Sequence, residues 1–195
     1  MYDYFEGNLV EKNPAYVVLD CNGIGYTLNI SIYTYDKIPT SGKCKLYVHL
    51  AIREDAHVLY GFADQLERIM FRDLISVSGV GAATARVILS ALTPEEIKQA
   101  IITGDVRKLT SIKGIGEKSA QRIIVDLGNK IGKDTLGSAF SSGTTHNKMK
   151  QEALNALETL GYARNIAEKA IEKAMKDMET NANVEDLVKR VLKNF

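Results

Sequence analysis

Little in this chain offers covalent or metal-based chemistry. Only two residues are cysteine and three are histidine. Cys21 and Cys44 lie far apart with no C-x-x-C spacing, so they read as unpaired thiols of a reducing compartment rather than a disulfide framework. His49, His57 and His146 make no metal-ligand spacing with them, and no metal is expected. No N-terminal apolar run resembles a signal peptide, and no segment approaches the ~20 apolar residues that a membrane helix needs. The expected location is therefore the cytoplasm, with no membrane partner. An excess of one charge is also missing. The net charge is +1, so no global basic field draws in nucleic acid, and any such binding must rest on local geometry and patches. What remains is ordinary soluble composition, 45% hydrophobic and 25% charged, in 195 residues that suffice for one to three small domains.

One pattern occurs twice within residues 74–127. The first copy reads Leu74-Ile75-Ser76-Val77-Ser78-Gly79-Val80-Gly81-Ala82-Ala83-Thr84-Ala85. The second, 35 residues on, reads Leu109-Thr110-Ser111-Ile112-Lys113-Gly114-Ile115-Gly116-Glu117-Lys118-Ser119-Ala120. Leucine, serine, both glycines and the last alanine coincide, and Val/Ile and Thr/Ser replace one another. Each copy is an apolar-Gly-apolar-Gly turn leading into a helix of small residues, the pattern of a helix-hairpin-helix. Such a turn can hold a phosphate without a basic side chain. The first turn of a helix has unpaired N–H groups and the positive end of the dipole. Glycine before it lets a backbone come close. Val77, Val80, Ile112 and Ile115 are the expected anchors, and Ala85 and Ala120 permit close helix packing. Lys118 and Arg122, at i and i+4, can add charge-assisted bonds. Contacts of this kind read the nucleic-acid backbone and not the bases.

Two nucleotide-loop readings fail. Gly116-Glu117-Lys118-Ser119 imitates the end of a Walker A loop, but the lysine does not follow a glycine and no strand precedes it. The run from Gly79 to Thr84 lacks the third glycine of a dinucleotide fingerprint and follows a helix. No ATP site and no cofactor are expected.

The flanks complete an α+β, multidomain reading. Residues 1–63 read as about five short strands, among them Ala15-Tyr16-Val17-Val18-Leu19-Asp20-Cys21, Tyr26-Thr27-Leu28-Asn29-Ile30 and the run from Lys45 to Ile52. They suit a small, partly open barrel of the OB type. Five basic and seven acidic residues there argue against the barrel as the main phosphate-binding surface. Residues 64–133 are expected to be all-α. Leu66, Ile69, Met70, Leu74 and Ile75 form an apolar stripe, with Arg68, Arg72 and Asp73 outside it. Thr93-Pro94-Glu95-Glu96 is a capped helix start. Lys108, Lys113, Lys118 and Arg122 crowd the second hairpin, whose helix is expected to end near Ile131. Residues 134–147 have the composition of a flexible linker. Residues 148–195 read as three amphipathic helices. The first carries Met149, Ala153, Leu154, Leu157 and Leu160 and stops at Gly161. The second carries Ile166, Ala167, Ala170, Ile171, Ala174 and Met178. The third starts from Asn183 and carries Leu187, Val191, Leu192 and Phe195. So small a core invites stabilisation by a partner.

One turn in the barrel is acidic: Arg53-Glu54-Asp55-Ala56. Solvated turn residues are the plain reading. The functional reading is that Glu54 and Asp55, pushed toward DNA, repel phosphates and hold strands apart.

In this order the barrel with Arg53-Glu54-Asp55, the two Gly-x-Gly hairpins, the linker and the three-helix tail resemble the RuvA family, the Holliday-junction-binding subunits of bacterial branch-migration complexes. The resemblance covers essentially the whole chain. It is most specific over Arg53-Glu54-Asp55-Ala56-His57-Val58-Leu59-Tyr60-Gly61-Phe62. It implies a non-catalytic homotetramer, or an octamer of two tetramers, that holds a four-way junction open and flat. Gly79, Val80, Gly81, Thr84, Gly114, Ile115, Gly116, Lys118, Ser119 and Arg122 would then face the DNA backbone, with Glu54 and Asp55 as an acidic pin at the junction centre. The tail would contact the hexameric ATPase RuvB, and a RuvC-type junction resolvase would be a further partner. Two departures weaken the expected grip: Ala82-Ala83, where relatives often supply a lysine, and Glu117 at an often basic position. Two other functions fit the sequence less well. A glycosylase would place a catalytic Asp beyond a hairpin, but Asp126 falls on the same helix as the phosphate grip and no second helical domain forms a base pocket. An adapter would use the tail, where Leu160-Gly161-Tyr162 resembles ubiquitin-associated folds.

Overall fold

The computed structural model describes residues 2–140, 144–176 and 183–193. Met178, Phe195 and linker positions 141–143 lie outside them. The chain forms two compact units, Met1–Gly132 and Lys133–Phe195.

The first unit opens with a barrel whose turns are dictated locally. β2 (Tyr16–Cys21) and β3 (Ile24–Asn29) are joined by Asn22 and Gly23, both at positive φ (55° and 85°), the requirement of a two-residue type I′ hairpin. The Asp20 carboxylate accepts the Gly23 N–H at 2.7 Å and fixes that turn. β1 (Tyr4–Lys12) pairs with β2 on one side and β4 (Gly42–Ile52) on the other, and β5 (His57–Phe62) bridges β4 and β3. The ring closes as β1-β2-β3-β5-β4, with β3 and β5 parallel. The OB-type barrel is thus closed, not partly open. The strand that closes it, β1, is the least obvious in sequence. Its inward positions are Phe5, Gly7 and Leu9, and glycine interrupts the apolar alternation. Gly7 is required there, because a Cβ would lie 2.3 Å from the Asp20 carbonyl oxygen. A bulge between Leu9 and Glu11 bends β1 so that it can serve both neighbours. Val17, Leu19, Leu28, Ile30, Leu46 and Val48 fill the interior. A short helix, α1 (Ile32–Lys37), connects β3 to β4.

The helices build a second core beside the barrel's own. α2 (Gln65–Ser76), α3 (Ala82–Ala91), α4 (Pro94–Thr103), α5 (Val106–Thr110) and α6 (Glu117–Phe140) bury Leu74, Ala85, Ile88, Ile97, Leu109, Ala120 and Ile123. β5 contributes Tyr60 and Phe62 to this same cluster. Phe71 of α2 is fully buried among His49, Tyr60 and Phe62, with ring centroids 4.9–5.3 Å away. Caps set the boundaries. Thr93 and Glu96 form a complete capping box for α4, which ends at Gly104 in the left-handed conformation. Asp105 caps α5 by accepting the Lys108 N–H at 2.9 Å.

Two expectations are corrected here. On α2 the buried side is Glu67, Arg68, Met70, Phe71, Asp73 and Leu74, while Leu66 and Ile69 are 61% and 50% exposed. The barrel packs where the sequence suggested a solvent face. Arg68 donates to the Asp3 carboxylate at 2.6 Å, and Asp73 accepts from Lys130 of α6 at 2.5 Å. The second difference is α6, which runs past Ile131 to Phe140. Helix propensities of the intervening residues are weak guides, and a glycine costs a helix only about 1 kcal/mol.

The second unit holds α7 (Thr144–Thr159), α8 (Arg164–Lys176) and α9 (Val184–Lys193) around Ala153, Leu154, Leu157, Ala167, Ile171, Leu187 and Val191. Gly161, at φ 95°, turns the chain after α7, and Asn183 caps α9 through the Asp186 N–H at 2.8 Å. Leu160, Ile166 and Leu192, expected in this core, are instead exposed.

Candidate nucleic-acid interface

The two sequence repeats fold into the same backbone device. In the first, Val77 N–H donates to Leu74, Val80 N–H to Val77, and Ala85 N–H to Gly81, at 3.1, 3.0 and 2.9 Å. In the second, Ile112 donates to Leu109, Ile115 to Ile112, and Ala120 to Gly116, at 3.2, 3.1 and 2.9 Å. Gly79 and Gly114 both sit at φ 90°, which their β-turns demand. The apolar partners are driven inward: Val77, Val80, Ile112 and Ile115 are 2–5% exposed. Between them Ser78, Gly79, Gly81, Lys113, Gly114 and Gly116 stay at the surface. Apolar anchors therefore hold the turns while their polar backbone faces out.

Glycine at the second position of each pair is not explained by the chain itself. Gly81 has an ordinary φ of −84°, and a Cβ on Gly81 or Gly116 would meet nothing within 4 Å. Gly81 is the N-cap of α3 and provides no side-chain cap bond. The first-turn N–H groups of α3 and α6 are thus left for an outside acceptor, at the end of the helix where the dipole favours an anion.

The structure brings the two copies together. Ser78 and Gly79 of the first turn line one groove of about 510 Å³ with Lys118, Ser119, Arg122 and Val125 of α6. The Arg122 guanidinium donates to the Ser78 carbonyl at 3.3 Å. This bond, which the sequence reading missed, ties the second hairpin's helix to the first hairpin's turn. Lys118 is exposed and Thr84 and Ser119 are half-buried beside their hairpins. Glu117 lies in the first turn of α6, where its carboxylate opposes an incoming anion, and it accepts from Gln121 at 3.3 Å.

Glu54 and Asp55 are both exposed at the tip between β4 and β5, where Arg53 N–H closes the turn on the Ala56 carbonyl at 2.9 Å. Among the described residues no hydrogen bond or ion pair joins them to either hairpin. No group of three or more His, Cys, Asp or Glu side chains arranged to hold a metal occurs among the described residues. No described helix is long and apolar enough to cross a membrane.

An OB-type barrel fused to paired Gly-x-Gly turns defines the class: tandem helix-hairpin-helix proteins carried on a small β-barrel. Comparison with known families narrows it. Residues 1–61 match the RuvA N-terminal domain, residues 71–129 the SAM-like helix-hairpin-helix tandem, and residues 148–194 the RuvA C-terminal domain. The chain is 50% identical over 195 residues to the Holliday junction branch migration complex subunit RuvA of Christiangramia forsetii, covering 100% of each chain. It is 50% identical over 197 residues to the protein of that name from Flavobacterium psychrophilum and 46% identical over 202 residues to that from Bacteroides fragilis, again covering 100% of each chain. The chain belongs to the RuvA family.

Proposed function

We propose that this protein binds four-way DNA junctions without sequence preference and holds them open for branch migration by a partner ATPase motor, in recombination and repair. The observation that carries this reading is the pair of hairpin turns with matching hydrogen bonds, whose outward backbone donors and uncrowded Gly81 and Gly116 suit a phosphate backbone. Family membership supports it. Gly79, Val80, Gly81, Thr84, Gly114, Ile115, Gly116, Lys118, Ser119 and Arg122 form the proposed DNA-facing set. Glu54 and Asp55 serve as the pin that keeps strands apart by charge repulsion. The protein itself catalyses nothing and needs no cofactor. Functionally the chain divides into a barrel (1–63), a hairpin domain (64–133), a linker (134–147) and a tail (148–195) that engages the RuvB motor. A homotetramer, alone or doubled to an octamer, arranges the pins around the junction centre in the cytoplasm, where a RuvC-type resolvase shares the substrate.

The test is a gel shift of the full-length protein on a synthetic four-way junction and on linear duplex at equal salt, beside a native mass measurement. Tighter binding to the junction by a tetramer or octamer is expected. Equal affinities would refute junction specificity. Glu54→Gln with Asp55→Gln should change how the junction is held or moved more than it weakens binding, and a large loss of affinity would show that the pair supports the fold instead.

A further inference from the structure

A carboxylate withdrawn from water is costly unless its oxygens are fully supplied with donors. Glu67 of α2 is 0% exposed and is held by hydrogen bonds alone. It accepts from the Ser31 hydroxyl, from the Thr34 hydroxyl at 2.5 Å and from the Ala63 N–H at 3.3 Å. All three donors come from the barrel side. Ser31 and Thr34 open α1, and Ala63 directly follows β5. Thr34 also accepts the Ala63 N–H at 2.9 Å, so α1, β5 and α2 meet at one knot.

Neighbouring bonds extend the knot to the hairpin. Lys37 of α1 pairs with Asp64, the N-cap of α2, at 2.8 Å. The Ile32 N–H donates to Ser90 of α3 at 3.2 Å, and Arg86 of α3 donates to the Ala15 carbonyl at 2.8 Å. α2 and α3 are the two helices that flank the first hairpin, and β5 is the strand that leads back to Glu54 and Asp55. Six residues of strand span roughly 20 Å, so a tilt of only about 5° at the knot displaces the acidic tip by about 2 Å. For stability alone, an apolar cluster of the same shape, replacing donors and acceptor together, would serve as well as this buried polar one. What the carboxylate adds is direction, since three donors at fixed positions admit one orientation of α2.

We propose that Glu67 is a positioning residue: by fastening α1 and the end of β5 to α2, it sets the orientation of the acidic tip relative to the first hairpin, and with it the preference for a four-way junction over linear duplex. This rests on the junction-binding reading above.

The experiment measures fluorescence anisotropy of the full chain on a labelled four-way junction and on a linear duplex of the same arm sequence, with thermal melts of each variant. Glu67→Gln and Thr34→Val weaken the knot. Ile97→Val, in the fully buried core on α4, supplies a loss of stability away from it. Glu67→Gln should keep duplex affinity within about twofold and lose roughly tenfold of the junction preference, the scale of misplacement costs. Thr34→Val should lose less, and Ile97→Val none despite a lower melting temperature. Unchanged preference in folded Glu67→Gln and Thr34→Val overturns the positioning role while leaving the junction reading intact. A parent protein that shows no preference overturns the junction reading itself, and this role with it. If Glu67→Gln does not fold, Thr34→Val decides alone.

Discussion

Gly81→Ala isolates the proposed backbone contact from the fold. The two glycines of the first hairpin differ in what they require. Gly79 is at φ 90°, where an L side chain is strained by about 1–2 kcal/mol. Gly79→Ala should therefore lower stability whatever the protein binds. Gly81 is at φ −84°, in extended backbone, and an added Cβ meets nothing within 4 Å. Alanine there restricts the unfolded chain, a gain of about 0.4–1 kcal/mol. It also replaces glycine at an N-cap, where alanine is disfavoured by a similar amount, about 0.5–1 kcal/mol. The two effects nearly cancel, so the melting temperature of Gly81→Ala should stay close to the parent's. Binding should not. A methyl group on the surface that meets the phosphate lengthens the N–H···O contacts, and losing one charge-assisted bond costs about 1.5–3 kcal/mol, or roughly 10- to 100-fold in affinity. Gly116→Ala should behave likewise. Melts and anisotropy titrations on one preparation give both quantities. A Gly81→Ala protein that melts normally and binds DNA as tightly as the parent would refute the backbone-contact reasoning.

Two further outcomes follow from the same geometry. Lys118→Ala should reduce the dependence of log K on log salt by about 0.9, one phosphate's share. Arg122→Ala should do the same and also lower affinity extrapolated to high salt, because Arg122 braces the Ser78 carbonyl; identical behaviour of the two variants would show that the brace is idle. Burial pushes the Glu67 carboxyl above its ordinary value of 4.5, against the opposing pull of Ser31, Thr34 and the Ala63 N–H. A raised folded-state pKa means that the folded form holds the proton more tightly. The associated stability is complete below the ordinary value and is lost as pH rises through the folded one. The parent's melting temperature should therefore gain on that of Glu67→Gln as pH falls from 7 toward about 5, since other carboxylates titrate in both proteins. A constant difference across that range would contradict the assigned direction.

Some elements were legible in the sequence because their causes are local. The hairpins require positive φ at one fixed position, and only glycine meets that need cheaply, so the repeat announces its own geometry. The α4 boundaries are fixed by Thr93, Pro94, Glu96 and Gly104 within a few residues of one another. What was not legible depends on partners distant in sequence. A helical stripe identifies a buried face only when the helix has one neighbour, and α2 has several: the barrel, α3, α4 and, through Asp73 and Lys130, α6. Its charged residues Glu67, Arg68 and Asp73 are inside because each is held by a bond from 36, 65 or 57 residues away, although the Arg68 Nε is left buried without a partner. Leu66 and Ile69 lie outside for the same reason. β1 gives only a weak apolar alternation of its own because its contribution at position 7 is the absence of a side chain.

The inequality of the two hairpins changes meaning once they are seen side by side. The first helix has Ala83 and Val87 where the second has Lys118 and Arg122, each 35 residues later. Taken separately, the first copy lacks any cation and should grip poorly. In the folded unit, however, Lys118 and Arg122 line the same groove as Ser78 and Gly79. Positive charge from the second copy thus stands beside the turn of the first. In the proposed reading one pair of side chains serves two turns, and the departure at Ala82-Ala83 is compensated across the groove. Both turns must then be intact for either to bind well. Gly81→Ala and Lys118→Ala combined should lose less affinity than the sum of their separate effects, because contacts to a shared phosphate are not independent.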